Sequence, residues 1–425
     1  MNSSKSLGTI WKVYCVILII QALFSLHPWF VLGVPPMIAT IAQFLIAASL
    51  LFLVSKFWDI KNPKKITACI LIVIIYVFQA FVDGGNVNFF IVHILSSFTL
   101  IPLLLLKSQY LVDSLDKFQK VMAVILSVSL FFWIIHLIGI DLPSTELTYG
   151  TTNKGNGDED LYLFSNYYVF LVDNSWMLRP FDEVPSFLRF SSIFLEPGYL
   201  SILMVFFLFI DNFNLKNKRN IIFILTIIAT ISLAGFLMVI MAFLARKIRS
   251  AKQGTAVILL VSLIVLGGYI FFKNYNGGNN FVNELIIERL EYDESEGTIA
   301  GYNRTNSGFD YQYERFVKSS DVVLGIGRKE VSDIAGNNVG YKAFIMSYGI
   351  MGLLFFLLFI FVLARIGGNY LSYVLFVLYI VMFIRGDVTM YWHAFILVYV
   401  GGIALSKLNN IPDEKNRHSC ALQRV

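Results

Sequence analysis

The stretch Ile221-Ile-Phe-Ile-Leu-Thr-Ile-Ile-Ala-Thr-Ile-Ser-Leu-Ala-Gly-Phe-Leu-Met-Val-Ile-Met-Ala-Phe-Leu244 is long and apolar enough to cross a bilayer, yet its flanks argue against a single crossing. Lys216, Lys218 and Arg219 precede it, and Arg246, Lys247, Arg249 and Lys252 follow it. Lys and Arg near span ends favour the cytoplasm, so both flanks belong on one side. A single crossing would put the Arg246 cluster outside and the long polar segment from Lys273 to Tyr341 inside. The conflict disappears if the run enters from the cytoplasm, breaks near Thr230, Ser232 and Gly235, and returns as two half-helices. Small and hydroxyl residues suit such a break, because backbone at membrane depth must find partners in protein or a wet cavity.

The rest of the chain fits this reading. Of 425 residues, 57% are hydrophobic and 14% charged, with a mean hydropathy of +0.70. Soluble domains carry about 25% charged residues, so a cytosolic enzyme or nucleic-acid-binding fold is excluded. Cys15, Cys69 and Cys420 lie in apolar stretches or the tail, which rules out a disulfide framework. Further spans are predicted at Ile10 to Leu26, Met37 to Trp58, Ile66 to Val82, Phe89 to Leu106, Val121 to Ile140, Ile193 to Ile210, Thr255 to Phe272, Ala343 to Ala364, Tyr370 to Ile384 and Val388 to Leu405. The first is retained rather than cleaved, since no small-residue cleavage site follows and His27, Pro28 and Trp29 read as an interfacial cap. Lys56, Lys61, Lys64 and Lys65, then Lys107, Lys117 and Lys120, mark further cytoplasmic loops. The turns His27 to Pro36 and Asp83 to Asn88 contain no Lys or Arg, and Asp141 to Phe190 is acid-rich, so these face outward.

The predicted fold is an all-α polytopic membrane protein with about 10 full spans plus a re-entrant helix pair, about 12 membrane segments in all, and both termini cytoplasmic. Residues 1–140 form a five-span bundle and 141–190 the first external loop. Residues 191–272 carry the Glu-Pro-Gly span, the re-entrant pair and the next span. A larger external loop occupies 273–341, a three-span unit 342–405, and a cytoplasmic tail 406–425. No internal repeat is evident, which weakens a transporter built from duplicated halves.

Connections as long as the two external loops are usually functional or disordered. The first holds the polar stretch Thr151 to Asp160 and then the aromatic Leu161 to Val172, too short to span. The second holds an acidic helix candidate near Glu284 to Glu296, then Tyr302, Arg304, Tyr311, Tyr313 and Arg315. Aromatic rings, Asn and acids suit sugar binding, although interfacial Tyr and solvated charge explain any single residue as well. Against an acidic background the external arginines, Arg179, Arg189, Arg289, Arg304, Arg315, Arg328 and Arg385, need a reason. Arg189 precedes a span, and Arg385 lies in a short outer turn. Each reads either as a bidentate phosphate ligand or as a snorkelling or ion-paired helix end, with Asp387 the nearby partner for Arg385. Glu196 is the one acid inside a predicted span. Before Pro197 it reads as a helix cap or an arginine positioner, or else as a general base or sugar contact. His27, His93, His136, His393 and His418 show no ligand spacing, and neither a metal nor a nucleotide motif appears.

The segment Leu188-Arg-Phe-Ser-Ser-Ile-Phe-Leu-Glu-Pro-Gly-Tyr-Leu200 resembles the O-antigen polymerase family and, more distantly, the O-antigen ligases. These enzymes place an Arg shortly before an aromatic-x-Glu-Pro-Gly run that opens a span. A second ordered match follows: Arg304, Gly325-Ile-Gly327, Asn337-Asn338, and Gly349-Ile-Met-Gly352 in a span. The resemblance covers about Leu188 to Leu363 and the overall span pattern. Where ligases carry a His before the Asn, this chain has Asn337, which cannot take a proton, so polymerase is the nearer likeness.

The resemblance implies a GT-C-like, metal-independent and cofactor-free inverting glycosyltransferase in a bacterial inner membrane. It would join undecaprenyl-pyrophosphate-linked oligosaccharide repeat units on the outer face, for an O-antigen, a capsule or an exopolysaccharide. A chain-length regulator and a flippase are implied partners. Arg189, Arg304 and Glu196 would be catalytic. Arg315, Arg328, Arg385, Asn337, Asn338, Tyr313 and Tyr341 would bind substrate. The alternatives are an O-antigen ligase and a flippase or transporter of lipid-linked oligosaccharide. An O-acyltransferase would need a patterned membrane-facing His, which His93, His136 and His393 do not supply.

Overall fold

The computed structural model describes residues 2–31, 55–84, 87–152, 159–173, 189–247, 267–278, 307–335, 340–386 and 390–409, with scattered positions between 38 and 49 and between 280 and 299. The chain is mostly helical. Among the described residues its helices include α1 (Asn2–Phe24), α2 (Pro63–Val82), α3 (Val87–Leu104), α4 (Ser108–Leu137), α5 (Pro197–Ile210), α6 (Lys218–Thr230), α7 (Leu233–Lys247), α8 (Ser307–Val317), α9 (Arg328–Ala335), α10 (Tyr341–Gly367), α11 (Tyr370–Arg385) and α12 (His393–Asn409). Four of these, α1, α2, α4 and α10, are long and apolar enough to cross a membrane. The predicted span Thr255 to Phe272 lies largely outside the described residues, and Met37 to Trp58 is described at only about half of its positions.

Two helices form the centre. Every residue of α5 from Gly198 to Ile210 is buried, as is α12 from His393 to Ala404. A helix apolar on all sides needs protein on all sides. Small residues permit the closest approaches: Gly401 of α12 meets Leu115, and Gly402 meets Ile210 and Leu375. The outer helices instead turn Val124, Phe131, Ile134, Leu354 and Leu358 away from the protein, as lipid-facing surfaces do.

The run Ile221 to Leu244 is two helices. At the break Ile231 is left-handed, with φ 46°, and ends α6; Ser232 Oγ then accepts the Gly235 N–H at 3.3 Å to start α7. Gly235 lies against Ser201 near the start of α5, whereas Arg246 donates to Asn212 Oδ1 (3.0 Å) just beyond its end. Arg219, in the first turn of α6, reaches Asp211 beside it (3.1 Å). The chain therefore runs up α5 and back down it, and the basic residues flanking the pair meet at one end.

The other basic loops gather at that end too. Lys107 Nζ donates to the Lys56 carbonyl (2.7 Å), Lys64 Nζ to the Arg365 carbonyl (2.7 Å), and the Tyr370 hydroxyl to the Ala245 carbonyl (3.1 Å). Lys65, predicted in a short cytoplasmic loop, is buried in the first turn of α2. Its ammonium bonds the Leu106 carbonyl and lies 3.5 Å from Asp59, so it closes off the end of α3 rather than meeting water.

Strands occur only sparingly among the described residues. In the first long loop β1 (Thr145–Thr152), β2 (Glu159–Asn166) and β3 (Leu171–Asp173) form an antiparallel sheet in the order β1-β2-β3. The predicted aromatic stretch supplies β2 and β3, and Phe170, Leu171 and Val172 are buried. Leu171 donates to the Ser192 carbonyl (2.8 Å), which folds the sheet back onto the segment before α5. In the second loop the acidic helix does not reach Glu296: β4 (Tyr292–Asp293) pairs with β5 (Thr298–Ile299), where β-branched Thr298 and Ile299 favour strand.

Candidate functional site

The candidate site lies at the end of the bundle opposite the basic loops. There the chain enters α5 through Glu196, an extended N-cap residue whose carboxylate accepts the Gly198 N–H at 3.2 Å, with Pro197 in the first helical position. The predicted span therefore starts at Pro197 and not at Ile193, because Pro lacks the N–H that would extend the helix backward. The same Glu196 oxygen accepts from Arg385 Nη2 at 3.3 Å; the Arg385 side chain is 14% exposed and that of Glu196 42%. Arg385 thus pairs with Glu196, while Asp387 lies outside the described residues.

The neighbouring residues fit around this pair. The Arg385 guanidinium lies 5.2 Å from the Tyr199 ring centroid, an attractive cation–π placement. A Cβ on Gly198 would come within 2.0 Å of Arg385 Nη2, and one on Gly386 within 2.5 Å of the Tyr199 hydroxyl oxygen. Only glycine at these positions lets the guanidinium lie on the turn that opens α5. Gly340, at φ 111°, abuts the Ile384 carbonyl, so Tyr341 begins α10 beside Arg385. Trp392 packs on Tyr199 (5.4 Å) and on His27 (4.7 Å), and burial lowers the His27 imidazole below its ordinary value.

Arg189 sits at the half-helix break. Its Nε donates to the Thr230 carbonyl (3.0 Å) and the Phe190 N–H to the Ala229 carbonyl (3.0 Å). These carbonyls end α6 without helical partners, and a guanidinium also suits the negative end of the helix dipole.

The glycine motifs have a structural cause. Helix α10 is interrupted at Gly349 (φ 64°, ψ −174°), which frees the carbonyls of Met346 and Ser347. The N–H groups of Ile326 (3.0 Å) and Gly327 (2.9 Å) take them, and Met351 N–H donates to the Val323 carbonyl (3.0 Å). A Cβ on Gly349 would stand 2.3 Å from the Val323 carbonyl oxygen, and one on Gly325 2.3 Å from that of Ser347. The loop before α9 is therefore clasped into the broken helix.

Tyr313 lies on α8 with the Lys342 ammonium 5.6 Å from its ring, and Lys342 pairs with Asp310 (2.8 Å). Arg315 is exposed on α8, 5.9 Å from the Tyr311 ring. Arg328 opens α9, and its N–H meets Asp83. Arg304, Asn337 and Asn338 lie outside the described residues. Glu196, Arg385 and Tyr341 are thus brought together; Arg189 and Arg315 are held by other partners.

The fold defines a mostly helical chain with helices apolar and long enough to span a bilayer, the mark of a membrane protein. No known protein family, no curated protein and no solved structure matches it.

Proposed function

We propose that the chain is a polysaccharide polymerase of a bacterial inner membrane, with about 10 crossings and a GT-C-like arrangement, that joins undecaprenyl-pyrophosphate-linked repeat units on the outer face. The observation that carries the reading is the Arg385–Glu196–Tyr199 cluster at the end away from the basic loops. By the positive-inside rule that end faces outward, where lipid-linked saccharides are assembled. Helix α5 has 14 residues and rises about 21 Å, against roughly 30 Å of hydrocarbon, so its first turn is recessed toward the bilayer. A recessed guanidinium suits the headgroup of a lipid pyrophosphate.

In the proposed reaction the acceptor sugar hydroxyl attacks the anomeric carbon of the growing chain, and the bond from that carbon to the pyrophosphate oxygen breaks. The pyrophosphate lipid leaves with the bonding electrons. Arg189, Arg304 and Arg385 stabilise the charge that develops on it. Glu196 holds Arg385 and caps α5, and the hydroxyl proton passes to solvent water; as the alternative, Glu196 takes that proton. Arg315, Arg328, Asn337, Asn338, Tyr313 and Tyr341 contact the saccharide.

Chain-length analysis of the surface polysaccharide in a deletion strain tests this. Loss of a polymerase leaves single repeat units attached to their acceptor. Absence of any surface repeat would indicate a flippase instead, and full-length polymer left on the lipid carrier would indicate a ligase.

A further inference from the structure

We propose that Asp83 is a positioning residue that pins the second outer loop to the N-terminal helices and so presents Arg328 to the substrate. The identity of that substrate rests on the polymerase reading above.

Asp83 caps the C-terminus of α2, and its side chain is 8% exposed. Its Oδ1 accepts the Arg328 N–H at 2.7 Å, in the first turn of α9. Its Oδ2 accepts from the Tyr348 hydroxyl at 3.2 Å and lies 3.2 Å from His93 Nε2. One buried carboxylate therefore joins α2, α3, the broken turn of α10 and the start of α9. An anion at a helix N-terminus that accepts a short backbone bond is among the stronger protein hydrogen bonds.

The backbone is shaped for this contact. Gly327, at φ 89°, stands so close to α2 that a Cβ would come within 2.9 Å of the Val82 carbonyl oxygen. The clasp at Gly349 holds the same loop from the other side. The loop is thus gripped twice, by the backbone of α10 and by the carboxylate of α2. Arg328 begins the helix at that grip. Loss of the carboxylate frees one grip while leaving Arg189, Glu196 and Arg385 in place, so substrate binding should suffer more than the chemical step.

The test uses the full-length protein in membranes, with Asp83→Ala and the conservative Asp83→Asn. The Asn oxygen can still accept the Arg328 N–H, but its amide cannot also accept from Tyr348. Two quantities are read: trypsin cleavage at Lys329, on the exposed face of α9, and KM and kcat for undecaprenyl-pyrophosphate-linked repeat unit extracted from a deletion strain. Asp83→Ala is expected to speed cleavage and raise KM about tenfold, the equivalent of one charge-assisted hydrogen bond, with kcat within about twofold. Asp83→Asn should lie between Asp83→Ala and wild type. Should Asp83→Ala fail to accumulate, Asp83→Asn and Tyr348→Phe carry the test, each with a smaller rise in cleavage and KM. Unchanged cleavage and KM in the folded variants would overturn the proposal, as would a fall in kcat at unchanged KM. If the wild-type protein forms no polymer while cleavage still rises in Asp83→Ala, the polymerase reading fails and the pin itself stands.

Discussion

The two ends of the helix bundle handle arginine differently. At the basic end Arg219 is 18% exposed and its fork meets Asp116 at 2.6 Å and Asp211 at 3.1 Å; Asp116 also pairs with Lys120 at 2.7 Å. That network staples α4 to the turn between α5 and α6. At the opposite end Arg385 reaches the half-exposed Glu196 at 3.3 Å, with an aromatic face behind it. Short contacts to two carboxylates neutralise a guanidinium and spend it on structure. The Arg385–Glu196 contact is longer and its carboxylate is half-exposed, so an anionic ligand arriving there can compete for the guanidinium. Similar chemistry thus serves as a fastener at one end and as a candidate binding group at the other.

Substitutions should separate these roles. The largest effect is expected at the outer end, where Arg385→Ala and Arg189→Lys should lower polymerisation by about 10²–10³ with the protein still present in the membrane. A Lys cannot reproduce bidentate contact, so Arg304→Lys should be similarly impaired; full activity there would reduce Arg304 to a solvated loop charge. At the basic end, Arg219→Ala leaves Asp211, 10% exposed, short of its partner. It should cost on the order of 3 kcal/mol in a thermal-unfolding assay, without changing the chain length made per folded molecule.

Two further changes sharpen the contrast. Gly349→Ala forces a side chain into a left-handed position against the Val323 carbonyl and should cost about 1–3 kcal/mol, read as faster proteolysis of the loop before α9. The smallest effect is expected for Glu196→Gln, where the amide oxygen can still cap α5 and accept from Arg385. Shortened but measurable polysaccharide chains are the expected outcome. Complete loss at normal expression would make Glu196 the general base, because an amide accepts no proton.

Much of this architecture was legible in the sequence. Hydropathy locates α1, α2, α4 and α10; the charges flanking Ile221 to Leu244 call for a break, and Thr230, Ser232 and Gly235 place it where the structure shows it, at Ile231. The Glu196-Pro197-Gly198 order announces a helix start by local chemistry alone. Contacts between residues distant in sequence were not legible. Nothing in the short turn after α2 signals that Asp83 meets Arg328 and Tyr348, and nothing near Arg385 points to Glu196, 189 residues earlier in the chain. Lys65 looked like a loop charge because its burial depends on the Leu106 carbonyl at the end of another helix. The glycines at 325, 327 and 349 were visible as a pattern, but their reason, two backbones in contact, exists only in the fold.

The difference between the ends has meaning only if they face opposite sides of a membrane. Cysteines at Lys247, at the end of α7, and at Glu314, on α8, test this in a background whose native cysteines are replaced. An impermeant maleimide added to intact cells lacking an outer-membrane barrier should label Glu314→Cys at once, and Lys247→Cys only after the inner membrane is permeabilised. Equal labelling of both positions before permeabilisation would contradict the re-entrant pair and, with it, the assignment of the arginine cluster to the outer face.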